Sequence, residues 1–484
     1  MVVVAGCFDP VGLTDVPCSA QGRCPGGLAC VEGVCGGDPT PPPTPVTARF
    51  GYRVIDVVDN DNGYAMTEQL DDPEVLRPEV TLDDQRVLDI TFAPDRSFTF
   101  DAPTGDAYHV RTTAVDVRSS AAPALSMLSP FYGRTDRMPV TQRTPLEFNL
   151  SADTPSSGGF LYSTGSRAAI GVTIAPLVTV DRRAMMSIGP LGLLDAERGD
   201  RLYLVRTAVD NQNKYSYAAS VLRAAVTQRD GVTSIVQGGL TPLPRDRCAR
   251  VRTNRADELA RLSAQYQGVA SSVWTILSTP LAAHGPFGSM AIVVGAQEPA
   301  NDSLDVRYSA PLPAEDHLIG FLVTIPQKIA TKDGELDVAN GVVHLAPLAS
   351  GGNCPNATIT ADIPLPHSPV LGGTALTPRT VIELDRSAPV TLTLSQTDGA
   401  VELYVATLYE VEKAQVTGMT ARHVYVATTP ELAIDPDDLV AGREYLFAIE
   451  TRRGHPGVAS GDFSTMTYPY SRAFVYSSAF FIAN

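Results

Sequence analysis

The chain has 484 residues, of which 44% are hydrophobic and 19% charged, a globular balance with room for about three to four domains. A formal charge of −16 argues against nucleic-acid binding, which needs a basic surface to displace counterions. With 39 glycines, 38 prolines and almost no helical periodicity, the pattern is many short strands joined by turns. The expected class is all-β, with several β-sandwich domains in tandem after a small disulfide-stapled knot.

No apolar run approaches the roughly 20 residues of a membrane-spanning helix. Residues 1–6 look like the remnant of a signal peptide's apolar region. Val4-Ala5-Gly6-Cys7 resembles a bacterial lipobox, in which small residues precede a cysteine that is lipidated. That resemblance implies an exported protein held at the outer membrane or cell surface by lipid on Cys7 alone.

Residues 7–37 hold this cysteine and a glycine-rich run with Cys18, Cys24, Cys30 and Cys35. So few core-forming residues separate these four that covalent staples must hold the piece, and two disulfides are expected with three connectivities open. A zinc site is the competing reading, disfavoured by the absence of CxxC spacing and by the exported setting. Residues 38–46 are a proline-rich spacer. Downstream, Cys248 and Cys354 form a third expected pair, which leaves Cys7 as the odd thiol.

From Thr47 the pattern alternates, with strands expected at 49–58, 87–92, 97–100 and 107–115. Phe98, Phe100, Pro103, Gly105 and Tyr108 resemble a hairpin of prealbumin-like and carboxypeptidase-regulatory-like sandwiches, assigned to residues 47–118. Such domains are usually structural or adhesive. Residues 129–370 read as a central β-rich region with one helix at 256–267, capped by Asn254 and ended by Gly268. Residues 378–484 contain Leu439 and Tyr445, six apart, which resemble the tyrosine corner of fibronectin type III domains. In order of parts, the chain resembles surface lipoproteins of the myxobacterial type, a resemblance that brings no activity with it.

Oxygen-rich residues in Asp56 to Gly63 make Asp56, Asp59 and Asp61 a candidate Ca²⁺ site, although the EF-hand frame fails there; the alternative is an Asp/Asn/Gly hairpin turn. Arg198-Gly199-Asp200 spells an integrin-recognition tripeptide but reads as a turn feeding the strand at Leu202. Tyr52, Tyr64, Tyr132, Tyr468 and Tyr470 are candidate glycan-contacting aromatics. The seven histidines show no metal-ligand spacing, and no nucleophile elbow, zinc-protease or nucleotide-binding motif occurs. No cofactor is expected beyond structural Ca²⁺, and no catalytic residue is assigned. The leading expectation is a non-catalytic envelope protein for surface display, adhesion, or glycan or protein binding. The alternative is a secreted hydrolase with its site in the central region.

Overall fold

The computed structural model describes residues 16–19, 24, 28–31, 34–39, 43–57, 64–104, 106–121, 123–132, 138–163, 168–181, 192–212, 215–253, 260, 271–279, 291–297, 303–312, 316–348, 354, 356–359, 363–364, 366–376, 381–384, 390–395, 401–412 and 418–482. The expected helix at 256–267 lies, apart from Ala260, outside the described residues. What is described is nearly all strand, arranged in six sheets. The class is all-β, with sandwich architecture.

The knot is a three-stranded sheet in which Val34–Pro39 runs between Val16–Pro17 and Leu28–Val31. Its disulfides are Cys18–Cys30 and Cys24–Cys35, which fixes the connectivity that spacing alone left open.

The first sandwich places Thr44–Val57, Tyr64–Leu70, Phe98–Ala102 and Ala124–Tyr132 in one sheet, facing Glu79–Leu82, Tyr108–Arg111 and Val115–Ser119 in the other. Alternation decides which residues enter. Phe98, Phe100 and Ala102 turn inward along their strand to meet Val80, Tyr108 and Val110. The Phe100 and Tyr108 rings meet edge-on at 5.0 Å, and the Tyr108 hydroxyl donates to the Ala121 carbonyl at 2.6 Å. The strand expected at 87–92 divides in two. Val87–Leu88 pairs with Glu79–Leu82, whereas Thr91–Phe92 pairs with Phe98–Ala102 in the opposite sheet. Leu88 and Ile90 pack on the core as the chain crosses between layers, a change of sheet that an unbroken alternation conceals.

In the central region, Pro145–Asn149, flanked by Leu177–Asp181 and Ser234–Gln237, packs through Leu146 and Phe148 on Leu161 and Leu204 of the large sheet. Arg247–Thr253, between Ser303–Tyr308 and Asn356–Ile359, presents Ala249 and Val251 to the core that contains Phe321 and Val323. Cys248–Cys354 closes a sequence separation of 106 residues here. In the chain-entropy model such a closure is worth about 5 kcal/mol. The C-terminal sandwich sets Val390–Ser395 against Leu403–Val411, Met419–Ala427, Glu444–Arg453 and Tyr470–Tyr476, around Leu392, Tyr425, Phe447 and Ile449. At the expected corner, the Tyr445 hydroxyl accepts the Val440 N–H at 3.0 Å, with Leu439 and Tyr445 both buried.

Strand pairing joins these regions. Val115–Val117 runs parallel to Val424–Val426, so one sheet passes from the first sandwich into the last. Leu403, Val405, Val426, Val458 and Phe463 of the C-terminal region share the first sandwich's core. The long hairpin Asp316–Thr331/Gly334–Leu348 pairs Gly341–Leu345 with Tyr470–Phe474. Near its tip, the Lys332 ammonium lies 3.5 Å from the centre of the Phe481 ring.

Candidate functional site

The residues expected to carry function disperse. Cys7, Asp59 and Asp61 lie outside the described residues. Asp56 sits within Thr44–Val57, its backbone paired with Ala65 across the hairpin. In the knot, Cys18, Cys24 and Cys35 bring their sulfurs within 4.8 Å of one another, the spacing of a metal cluster. All three are committed to disulfides and offer no thiolate in this state. In the integrin-like tripeptide, Gly199 adopts a left-handed conformation (φ 90°) and caps a short 3₁₀ turn. Asp200 is 3% exposed and accepts the Asp195 N–H at 2.8 Å, so this carboxylate serves the turn. Among the candidate aromatics, Tyr52 is exposed, Tyr468 is half-buried and Tyr470 is buried, while the side chains of Tyr64 and Tyr132 are outside the description.

Two convergences of ionisable groups were not foreseeable from spacing. The first lies where the first and last sandwiches share a sheet. Arg111 reaches from the first sandwich to Asp435 and Asp438, with Nη2 2.7 Å from Asp438 Oδ1. The Tyr425 hydroxyl donates to the same Asp438 carboxylate, and burial followed by that negative charge pushes its ionisation far upward. His423, 3% exposed, has Nδ1 3.8 Å from Asp438 Oδ1. Burial lowers its pKa, so the ring is neutral and this contact is not an ion pair. On the same side, His109 bridges Asp83 and Asp116 at 3.2 Å each, and Arg118 grips Asp83. That grip holds the Asp83 carboxyl below its ordinary value. With its histidine closed off from solvent, this network acts as a polar lock between two sandwiches.

The second convergence is His344 with Ser471, directly opposed across the antiparallel pair, with Nδ1 and Oγ 2.7 Å apart. Burial and the nearby Arg453 charge hold His344 down at about 4, so it is a neutral base. A serine beside a neutral imidazole is the beginning of a nucleophile–base pair. Here both side chains are buried, at 8% and 6% exposed.

An open, concave site lies elsewhere. A depression of about 500 Å³ is lined by Arg49, Arg53, Met66, Glu68 and Thr465. Strand geometry builds its floor: Arg49 and Arg53 share a face of Thr44–Val57, and Glu68 sits opposite Arg53 on the neighbouring strand. The Arg49 guanidinium lies 2.6 Å from Glu68 Oε2, and Arg53 Nη1 donates to Thr465 Oγ1 at 2.8 Å.

Its far wall comes from the C-terminal region. Gly461 turns in a left-handed conformation (φ +84°) where a Cβ would strike the Ala124 carbonyl. The loop then pairs with the edge of Ala124–Tyr132 through Ser126 N to Gly461 O and Phe463 N to Ser126 O. Asp462 Oδ1 accepts the Ser464 and Thr465 N–H groups, fixing the turn that presents Thr465 to Arg53. Met66, 45% exposed, adds an apolar flank. The site offers cationic donors, a carboxylate acceptor and a thioether, a set suited to holding a polar ligand. The alternation at 49–58 was the one signal in the sequence that pointed to this strand.

No family model matches the chain, and no curated protein matches it. Among solved structures, the chain is similar to the Bacillus anthracis TIE protein at 9% identity and a TM-score of 0.13, over 90% of this chain and 72% of that one. A mutant Salmonella alpha-2-macroglobulin gives 11% identity and a TM-score of 0.11, over 82% of this chain and 27% of the other. Similarity at this level identifies neither fold family nor function.

Proposed function

We propose that the chain is an exported cell-envelope protein, lipid-anchored through Cys7, that binds a ligand at the surface rather than transforming one. The observation that carries this reading is the open depression at Arg49, Arg53, Met66, Glu68 and Thr465, whose charged groups face solvent on a stapled β body. Its lining comes from two sandwiches, so the site depends on their union. The C-terminal sandwich is then a fibronectin type III-like module, a reading supported by the Tyr445 corner, that supplies the depression's far wall. Screening the full chain on glycan and peptide arrays tests the proposal. Binding that falls on Arg49→Ala with Glu68→Ala, at unchanged melting temperature, supports it, and silence on both arrays overturns it.

A secreted hydrolase is the second reading, favoured by the His344–Ser471 hydrogen bond. A fluorophosphonate probe decides between them. Labelling of Ser471 selects the hydrolase, and its absence is the result expected of a binding protein.

A further inference from the structure

The sheet formed by Ser303–Tyr308, Arg247–Thr253 and Asn356–Ile359 has two unlike faces. Ala249, Val251, Val306 and Tyr308 turn inward to the core. The opposite set turns outward: Arg250 and Arg252 are exposed on the central strand, and Asp305 and Arg307 on its neighbour. Register aligns Arg307 with Cys248 and Asp305 with Arg250, so these groups occupy one surface. Asp305 is gripped by Arg250 through Nε at 2.5 Å and Nη2 at 2.8 Å, leaving that pair neutral. Arg252 and Arg307 flank the pair and carry the face's excess positive charge. At the margin, Arg245 hydrogen-bonds the Arg307 carbonyl at 3.2 Å and Asp210 at 3.1 Å, and its guanidinium stacks 4.1 Å from the centre of the Tyr217 ring. On the third strand, Asn356 is exposed beside Arg250.

We propose that this face binds an acidic polysaccharide, one bearing spaced carboxylates along a hydroxyl-rich chain. Three features of the face select that occupant. A cationic surface on a chain of net charge −16 is complementary to an anion that the rest of the molecule repels. Residues two apart on a strand are roughly 6.6 Å apart, so the arginines present sparse charges. A nucleic acid packs about one charge per 1.7 Å of duplex and is repelled by the chain's net charge of −16. A polyuronate carries its charges far enough apart to address Arg307 and Arg252 in turn, while its hydroxyls meet the Asn356 amide and the Arg250–Asp305 pair. An open sheet face admits an extended polymer without an enclosing pocket.

This assignment shares with the reading above only that the protein presents a binding surface; the sheet lies on different strands from the depression. The test applies the full, oxidised chain to immobilised polygalacturonate, with neutral dextran and duplex DNA as parallel supports. The expected result is retention on polygalacturonate that weakens steeply with added salt and falls about tenfold or more in Arg252→Glu/Arg307→Glu. Arg49→Ala/Glu68→Ala, which alters the depression, leaves that retention unchanged. Equal retention on dextran or DNA, or retention insensitive to Arg252→Glu/Arg307→Glu and to Arg252→Gln/Arg307→Gln at wild-type melting temperature, overturns the assignment. A chain that binds polygalacturonate through the depression alone also overturns it while leaving the binding reading intact.

Discussion

The knot at residues 16–39 and the C-terminal sandwich at 390–482 reach an ordered state by opposite routes. In the knot, Cys35 is buried, and two disulfides at separations of 12 and 11 residues hold three short strands. The C-terminal sandwich carries no disulfide among the described residues. It rests on Leu392, Tyr425, Phe447, Ile449 and Phe480, with Phe447 and Phe480 stacked at 5.4 Å. The difference is one of scale: a segment too small to bury apolar surface restricts its unfolded state covalently, and a larger one excludes water.

Four perturbations break or sharpen that contrast. Reduction has the largest expected effect, because each of the two knot disulfides contributes about 3 kcal/mol in the chain-entropy model to a very short segment. Limited proteolysis after reduction is expected to cut within residues 16–39 while residues 390–482 stay protected. Phe447→Ala reverses the pattern. Emptying a fully buried ring site costs about 3–5 kcal/mol, read as a lower unfolding midpoint of the body with the oxidised knot unaffected.

Acid acts on the body through buried histidines, His423 among them. Burial and the charges of Arg453 and Arg452 push His344 and His455, respectively, down to about 4. An unfolded histidine takes its proton near 6.5, so between these values the unfolded chain binds more protons and stability falls as pH drops. At about pH 5 the cost is at most roughly 2 kcal/mol per ring relative to neutral pH. Denaturant melts at the two pH values measure it, and His344→Gln is expected to make the slope shallower. Tyr445→Phe has the smallest effect. Losing the acceptor for the Val440 N–H costs about 1 kcal/mol, seen in the same melts.

What could be read from the sequence was local. Alternation marked the strand at 97–100, which the structure places at Phe98–Ala102 with Phe98, Phe100 and Ala102 buried. Cysteine counting placed six thiols in three disulfides that do form, and the Leu439/Tyr445 spacing marked a corner whose hydrogen bond forms. The pairing of Val115–Val117 with Val424–Val426, the His344–Ser471 contact and the meeting of Arg53 with Thr465 were not legible. Each joins strands or loops remote in sequence, and their register is set by packing against a shared core, which leaves no local period. The depression stayed hidden for the same reason, since one wall comes from each end of the chain.

The most direct measurement of the central claim is intact mass on protein extracted from native membranes, alkylated without reduction. The expected result is an acyl adduct on Cys7 and no alkylation at Cys18, Cys24, Cys30, Cys35, Cys248 or Cys354. An unmodified Cys7, with the six others alkylated, would contradict the lipid-anchored, disulfide-stapled reading.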